Sequence, residues 1–197
     1  MHKRISHRVL GLGVAAVLLS CNPTADDNRS AVVLTLALAG STETEDTGFL
    51  KTQQVVTTSG LFSDVVDDNG NAADDFLRFR LESIPKSPVS VLSDFYTVQL
   101  TGYQVVFSRA DGFNTPGIDV PFPLTLPISA QVPPGGAAEV DLLLITREMK
   151  LESPLRDLWF GDGQRIFVSA NLTIFGTDLL GNAVTASGTS LVAFGDF

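Results

Sequence analysis

The segment Arg165–Phe194, RIFVSANLTIFGTDLLGNAVTASGTSLVAF, decides the fold. Apolar side chains recur at every second position from Ile166 to Ile174, and mostly polar residues lie between them. A period of two is typical of a β-strand with one face toward a core. Asp178–Asn182 has turn residues, after which Ala183–Phe194 returns as another strand. The segment therefore predicts a C-terminal antiparallel hairpin.

Further strand candidates precede this hairpin. They are Ala31–Ala39, which could also form a short buried helix, Gln53–Thr58, Phe76–Leu81, Tyr96–Phe107 and Ala138–Arg147. In Tyr96–Phe107 the apolar residues change from even to odd positions across Thr101-Gly102, which predicts a β-bulge. Glu148–Asp157 alone looks helical, and Pro154 limits it to one or two turns. We therefore predict an all-β fold, a single immunoglobulin-like antiparallel β-sandwich over residues 31–197.

The first 20 residues have the features of a secretory signal. Lys3, Arg4 and Arg8 precede Val9–Leu19, a run of eleven residues without a charge. A helix of that length spans roughly 16 Å, about half of the hydrocarbon core of a bilayer. The segment is therefore too short for a membrane span.

The end of this segment resembles the bacterial lipobox, in which a small residue precedes a cysteine that becomes lipidated. Leu18, Leu19 and Ser20 precede Cys21 here. The resemblance implies that residues 1–20 are a lipoprotein signal peptide and that residues 21–30 are a lipidated cysteine followed by a flexible tether. Asn22 is not the aspartate associated with inner-membrane retention, so the expected location is the outer membrane of a bacterial cell envelope. The alternative is an ordinary signal peptide that leaves Cys21 as a free thiol.

The inventory of side chains excludes several kinds of site. The only histidines and the only cysteine are His2, His7 and Cys21, so a chain processed before Cys21 has no imidazole and no unmodified thiol. It cannot form a Ser-His-Asp triad, a Cys-His nucleophile or a zinc site with nitrogen or sulfur ligands. The formal charge is −9, and loss of three basic residues with the signal makes it −12. Such a charge argues against a nucleic-acid partner.

Two acidic segments are candidates for calcium binding, the only cofactor that the sequence suggests. The first, Arg109–Pro123, reads RADGFNTPGIDVPFP and offers oxygens from Asp111, Asn114 and Asp119. The second is Asp64–Asp75, DVVDDNGNAADD, which lies in a predicted loop and lacks the glycine and glutamate of an EF-hand. In the alternative interpretation, these Asp and Asn side chains close their own turns or are solvated.

Other catalytic and ligand-binding interpretations have less support. Paired carboxylates could hydrolyse glycans, but 22 acidic residues bring some pair to nearly any separation. Lys51, Lys86 and Lys150 could serve a Ser-Lys dyad, yet no S-x-x-K spacing accompanies them. Trp159 and Phe160 could anchor a ligand or pack over an open end of the sandwich.

The C-terminal half also resembles a family of uncharacterised bacterial envelope lipoproteins. The shared features are a Y-x-V-x-[FY]-x-R strand at Tyr103–Arg109, the DG-x-N-x-PG-x-DVP loop at Asp111–Pro121, a K-x-E-x-PL segment at Lys150–Leu155 and the hairpin motif F-G-x-D-x-x-G-N at Phe175–Asn182. The resemblance covers roughly residues 96–197. It implies a fold and a cellular location, and it supplies no catalytic residues.

These observations together predict a non-enzymatic binding or structural module. Its expected partners are the membrane, through the lipid anchor, and an envelope protein or glycan of unknown identity. A calcium-dependent binding domain is the alternative, and a carboxylate-dependent glycan hydrolase is a further one.

Overall fold

The computed structural model describes residues 30–39, 54–57, 60–67, 69–87, 93–159 and 163–196. Regular structure in these residues is nearly all β. The strands are β1 (Val32–Leu38), β2 (Gln54–Thr57), β3 (Gly60–Asp64), β4 (Asp75–Pro85), β5 (Val98–Ser108), β6 (Leu124–Val132), β7 (Ala137–Ile145), β8 (Ile166–Asp178) and β9 (Ala183–Gly195). The described residues also contain one short helix, α1 (Arg147–Lys150), and two 3-10 turns, Asp94–Tyr96 and Arg156–Leu158. The predicted all-β sandwich is confirmed.

The strands form two sheets. One sheet has three strands in the order β1-β4-β7, and the other has six in the order β2-β3-β9-β8-β5-β6. Every strand pair is antiparallel except β3 and β9, which run parallel. A single core of alternating apolar side chains lies between the sheets. No helix among the described residues is long and apolar enough to cross a bilayer.

The C-terminal hairpin forms as its period of two predicts. β8 pairs with β9 over twelve residue pairs, from Ile166 with Phe194 to Thr177 with Ala183. The inward-facing residues of β8 are buried, as are most of those of β9. They are Val168, Ala170, Leu172, Ile174, Val184, Ala186, Val192 and Phe194.

The predicted bulge in β5 is also confirmed. The register shifts between Leu100 and Gly102 against both neighbouring strands, β6 and β8. Because the bulge inserts one residue, Leu100 and Tyr103 both face the core although their numbers differ in parity. The Tyr103 hydroxyl donates to the Leu143 carbonyl of β7 at 3.0 Å, which links the two sheets through the core.

The structure also differs from the sequence prediction in several elements. β3 and β6 are not predicted. β6 contains Pro127, which removes one backbone donor and is tolerated because β6 is an edge strand. The parallel partner of β3 is β9, at the other end of the chain, so its pairing has no local signature. The predicted helix Glu148–Asp157 is divided into α1 and a 3-10 turn, and Tyr96 belongs to a 3-10 turn rather than to β5.

Gly60 offers a test of the parallel pair, because an added Cβ would lie 2.6 Å from the backbone oxygen of Leu191. We expect Gly60→Ala to lower the free energy of unfolding by about 1–3 kcal/mol, since backbone must move to admit the methyl group. Gly188→Ala is the control, because its Cβ would meet only the Leu36 side chain, at 3.0 Å. Urea unfolding monitors both variants, and equal losses of stability would contradict the β3–β9 register.

Candidate functional site

The sandwich has two ends, which the pairing of β5 defines. Val98, at the start of β5, pairs with Asp178, whose side chain accepts a hydrogen bond from Ser30, the first described residue. We call this the proximal end, because it is where the chain emerges from the segment that precedes Ser30. Ser108 ends β5 at the opposite, distal end, and the loop 109–123 follows it. Eleven strand residues separate the ends, which corresponds to about 36 Å.

The distal loop 109–123 is held by its own backbone and side chains. The Thr115 carbonyl accepts hydrogen bonds from the amides of Ile118, Asp119 and Val120 at 3.1, 2.8 and 3.3 Å. Val120 is buried in the core and fixes the loop to the sandwich. The ring of Phe122 packs so closely on Gly117 that a Cβ there would overlap it. These contacts make the loop a rigid excursion, as its density of turn residues predicts.

The three candidate calcium ligands of this loop are each engaged in hydrogen bonds within the loop. The Asp111 carboxylate pairs with the Arg109 guanidinium, whose hydrogen bonds hold the pKa of Asp111 below its usual range. Asn114 Oδ1 accepts from the Arg109 amide at 2.5 Å, and Asp119 Oδ2 accepts from the Thr115 amide at 3.0 Å. This is the turn-closing alternative that the sequence analysis considers, and calcium binding by these residues stays a prediction.

The second acidic segment, Asp64–Asp75, is a loop at residues 65–67 and 69–74, as predicted, and only its two end residues lie in strands. Asp64 ends β3, and Asp75 begins β4. Asp67 Oδ1 accepts from the amides of Asn69 and Asn71 at 2.9 and 2.7 Å, and the Asn71 amide is the main cause of a lowered pKa at Asp67. The described residues contain no group of three His, Cys, Asp or Glu side chains placed to hold a metal ion.

A buried ionic cluster lies in the core at the distal end. Lys150 and Asp75 are both fully buried, and Lys150 Nζ lies 2.9 Å from each carboxylate oxygen of Asp75. Nζ also donates to the Asp64 carbonyl at 2.7 Å, and the buried Ser63 hydroxyl bonds to Asp75 Oδ2. The cluster joins β3, β4 and the end of α1, so it connects both sheets.

From sequence, Lys150 is only a possible partner of a catalytic serine. The structure places its Nζ against both carboxylate oxygens of Asp75, and the Ser63 hydroxyl donates to Oδ2 of the same carboxylate. All three side chains are closed to solvent, so no substrate atom can reach Ser63 in this arrangement. Thr146 caps α1 through the Met149 amide and thereby fixes the single turn that carries Lys150 inward. No spacing rule connects these residues, because the fold alone brings them together.

An apolar patch covers the outer face of the six-stranded sheet near the distal end. We define the distal patch as Phe62, Phe167 and Leu191, on β3, β8 and β9. Phe62 and Phe167 flank Ala193 in register, and Ala193 is buried although it lies on the outer face. Phe167 is 64% exposed and Leu191 is 58% exposed, which is high for large apolar residues in strands.

The surroundings of the distal patch extend it toward the loop 109–123. A surface depression lined by Arg109, Asp111, Arg165 and Ile166 includes Phe167 on its wall. Within the loop itself Phe113, Ile118 and Phe122 are exposed. The distal end therefore combines aromatic and aliphatic surface with guanidinium groups, a composition that is common in binding surfaces.

The remaining candidates of the sequence analysis fall in three groups. Trp159 is half-buried against the core, in agreement with a packing role. Lys86 lies at the proximal end, where its amide donates to the Ala31 carbonyl. Outside the described residues lie Leu18, Leu19, Ser20, Cys21, Lys51 and Phe160.

Comparisons with known proteins add no assignment. No protein-family model matches the chain, and no curated protein is significantly similar to it. The resemblance to envelope lipoproteins therefore stays a prediction.

Removal of one partner from the buried pair tests its role in stability. We expect Lys150→Ala to lower the free energy of unfolding by about 3–5 kcal/mol, because it leaves the Asp75 carboxylate buried without a counter-ion. The control is Arg78→Ala, which breaks the exposed Arg78–Asp141 pair and should cost less than about 1 kcal/mol. Denaturant unfolding measures both losses. The double variant Asp75→Leu, Lys150→Met removes both charges and should recover part of the loss. Similar losses in Lys150→Ala and Arg78→Ala would contradict the assignment of Lys150 as the counter-ion of buried Asp75.

The pH dependence of stability provides a second test of Asp75. Burial is the main cause that raises the pKa of Asp75 from 3.8 to about 6, against the lowering effect of Lys150. The folded protein therefore holds this proton more tightly than the unfolded chain, so the contribution of Asp75 to stability falls as pH rises between about 4 and 6. Asp75→Asn has no carboxyl group at this position and therefore lacks this loss. The free energy of unfolding of Asp75→Asn minus that of the wild type should rise by on the order of 2–3 kcal/mol between about pH 4 and pH 7. The other carboxylates contribute equally to the free energies of unfolding of both proteins, so they cancel in this difference. A difference that does not change with pH would contradict the raised pKa of Asp75.

Proposed function

We propose that the protein is a lipid-anchored, non-enzymatic binding module of the bacterial cell envelope, attached to the outer membrane through Cys21. Its partner would be another envelope component, a protein or a glycan, that contacts the distal patch and the neighbouring loop 109–123. The proposal combines the lipobox-like signal of the sequence with the placement of Ser30 and the distal patch at opposite ends of the sandwich.

The observation that carries the proposal is the position of the distal patch relative to Ser30. β5 begins beside Asp178 and Ser30 and ends at the loop 109–123, so the patch lies at the end away from Ser30. A domain attached at its proximal end would therefore keep the patch clear of the bilayer. Eight residues lie between Cys21 and Ser30, and the nine residue steps from Cys21 to Ser30 extend at most about 32 Å.

The chemistry of the described residues favours binding over catalysis. They contain no His and no Cys, and the candidate acids of the loop 109–123 are engaged in local hydrogen bonds or ion pairs. Exposed Phe and Leu side chains instead present flat apolar surface, which suits an apolar protein segment or the hydrophobic face of a sugar ring. No feature of the described residues favours the calcium or glycan-hydrolase alternatives over this function.

Two measurements in the native envelope test the proposal. Globomycin, which blocks lipoprotein signal cleavage, should leave a larger precursor, and Cys21→Ser should abolish incorporation of labelled fatty acid. A photo-crosslinking residue at Phe167 should give one reproducible adduct, whereas the same residue at Thr185, an exposed site elsewhere on the outer face, should give none. Protease or glycosidase sensitivity of the adduct then distinguishes a protein from a glycan.

Each measurement can reject its own part of the proposal without the other. Unchanged mobility with globomycin would reject lipidation, and absence of an adduct at Phe167 in anchored protein would reject the distal patch as the binding surface.

A further inference from the structure

The proximal end has an apolar surface of its own, built from two loops. We define the proximal patch as Phe95, Leu179 and Leu180, which are 61%, 49% and 55% exposed. Phe95 lies in the 3-10 turn before β5, and the two leucines form the tip of the turn between β8 and β9. Turn tips are normally occupied by Gly, Pro, Asn, Asp or Ser, so adjacent exposed leucines are unusual there.

The proximal patch is rigid because a buried carboxylate holds the turn from below. Asp178 Oδ1 accepts from the amides of Leu180 and Asn182 at 3.0 and 2.8 Å, and Asn182 Nδ2 donates to both carboxylate oxygens. The Leu179 amide donates to the Phe95 carbonyl at 3.0 Å, which fixes the two loops to each other. The three apolar side chains therefore form one preorganised surface.

The same carboxylate connects the proximal patch to Ser30, the first described residue. Ser30 is buried and its side chain hydrogen-bonds to Asp178, directly beneath the turn that presents the leucines. Eight residues separate Ser30 from Cys21, so the distance between the two is at most about 32 Å. An acyl group on Cys21 would thus hold this end of the domain within about 32 Å of the lipid surface.

We propose that the proximal patch inserts into the interfacial region of the bilayer to which Cys21 is anchored and so holds the domain upright. This inference rests on the lipid anchor of the proposed function. Three apolar side chains bury too little area to recruit a domain to a membrane. They suffice to orient a domain that is already tethered, because insertion is then an intramolecular step at high effective concentration.

The charge of the proximal end defines the lipid to use as the probe. Asp94 is exposed next to Phe95 and Lys86 is exposed at the same end, so the proximal end has no excess of positive charge to attract anionic headgroups, whereas Asp178 is buried beneath the turn. The interaction is apolar, and zwitterionic phosphatidylcholine vesicles are the appropriate membrane. Insertion should be insensitive to salt, because it does not depend on ion pairing with lipid headgroups.

The experiment places an environment-sensitive fluorophore at each end of the anchored protein. Full-length chain is processed in a bacterial host, purified and reconstituted in phosphatidylcholine vesicles, with Leu180→Cys labelled by an NBD maleimide. Ile118→Cys, an exposed site in the distal loop, is the matched control, and Phe95→Cys is a second proximal site. Wild-type protein should take no label, because its only cysteine is acylated.

We expect the emission at positions 180 and 95 to shift to the blue on reconstitution and to be quenched by nitroxide lipids, with no change at position 118. Adding Leu179→Ser and Leu180→Ser to the position 95 variant should remove its shift. If the protein floats with the vesicles but positions 180 and 95 show no shift, the inference is wrong and the anchor stands. If the protein does not float, the anchor fails and the inference fails with it. A shift that grows with protein density at constant lipid would identify a second copy as the occupant and would also overturn it.

Discussion

The distal half of the sandwich depends on the ion pair between Lys150 and Asp75. The pair is fully buried and has hydrogen bonds to the Ser63 hydroxyl and the Asp64 carbonyl, so it connects the six-stranded sheet, the three-stranded sheet and α1. A buried ion pair adds little net stability, but an arrangement that separates its members leaves a charge without compensation. The pair therefore penalises alternative registers of β3 and β4. The chain has one cysteine, so no intrachain disulfide could supply that constraint.

Local pattern was sufficient for most of the fold. The period of two in β4, β8 and β9 and the change of parity in β5 are properties of consecutive residues, and each of these elements forms with the expected faces. The sequence pattern did not predict strands whose place depends on a pairing partner that is distant in sequence. β3 is short and gains its place from the parallel pairing with β9, and β6 contains Pro127, which normally argues against a strand. An edge position removes that objection, but edge positions follow only from the topology.

The same distinction separates the predicted and the missed parts of the site. The rigidity of the loop 109–123 could be predicted, because Asp, Asn, Gly and Pro act on their own backbone neighbours. The buried cluster could not, because Ser63, Asp75 and Lys150 lie on three segments that meet only in the folded chain. The distal patch was missed for a related reason. Phe62, Phe167 and Leu191 each look like a core residue in sequence, and only the register of three strands places them together on the outer face.

The two ends of the sandwich share one feature, a buried carboxylate, which stabilises different elements at each end. At each end a buried carboxylate accepts hydrogen bonds from groups that would otherwise be free to move, Asp75 from Lys150 and Ser63, and Asp178 from Asn182 and the turn amides. The distal carboxylate fixes strands and leaves the outer face of the sheet for apolar contacts. The proximal carboxylate fixes a turn whose tip is apolar and holds Ser30 beside it. Because β5 separates these ends by about 36 Å, one end can contact a membrane while the other contacts a partner, and neither interaction obstructs the other.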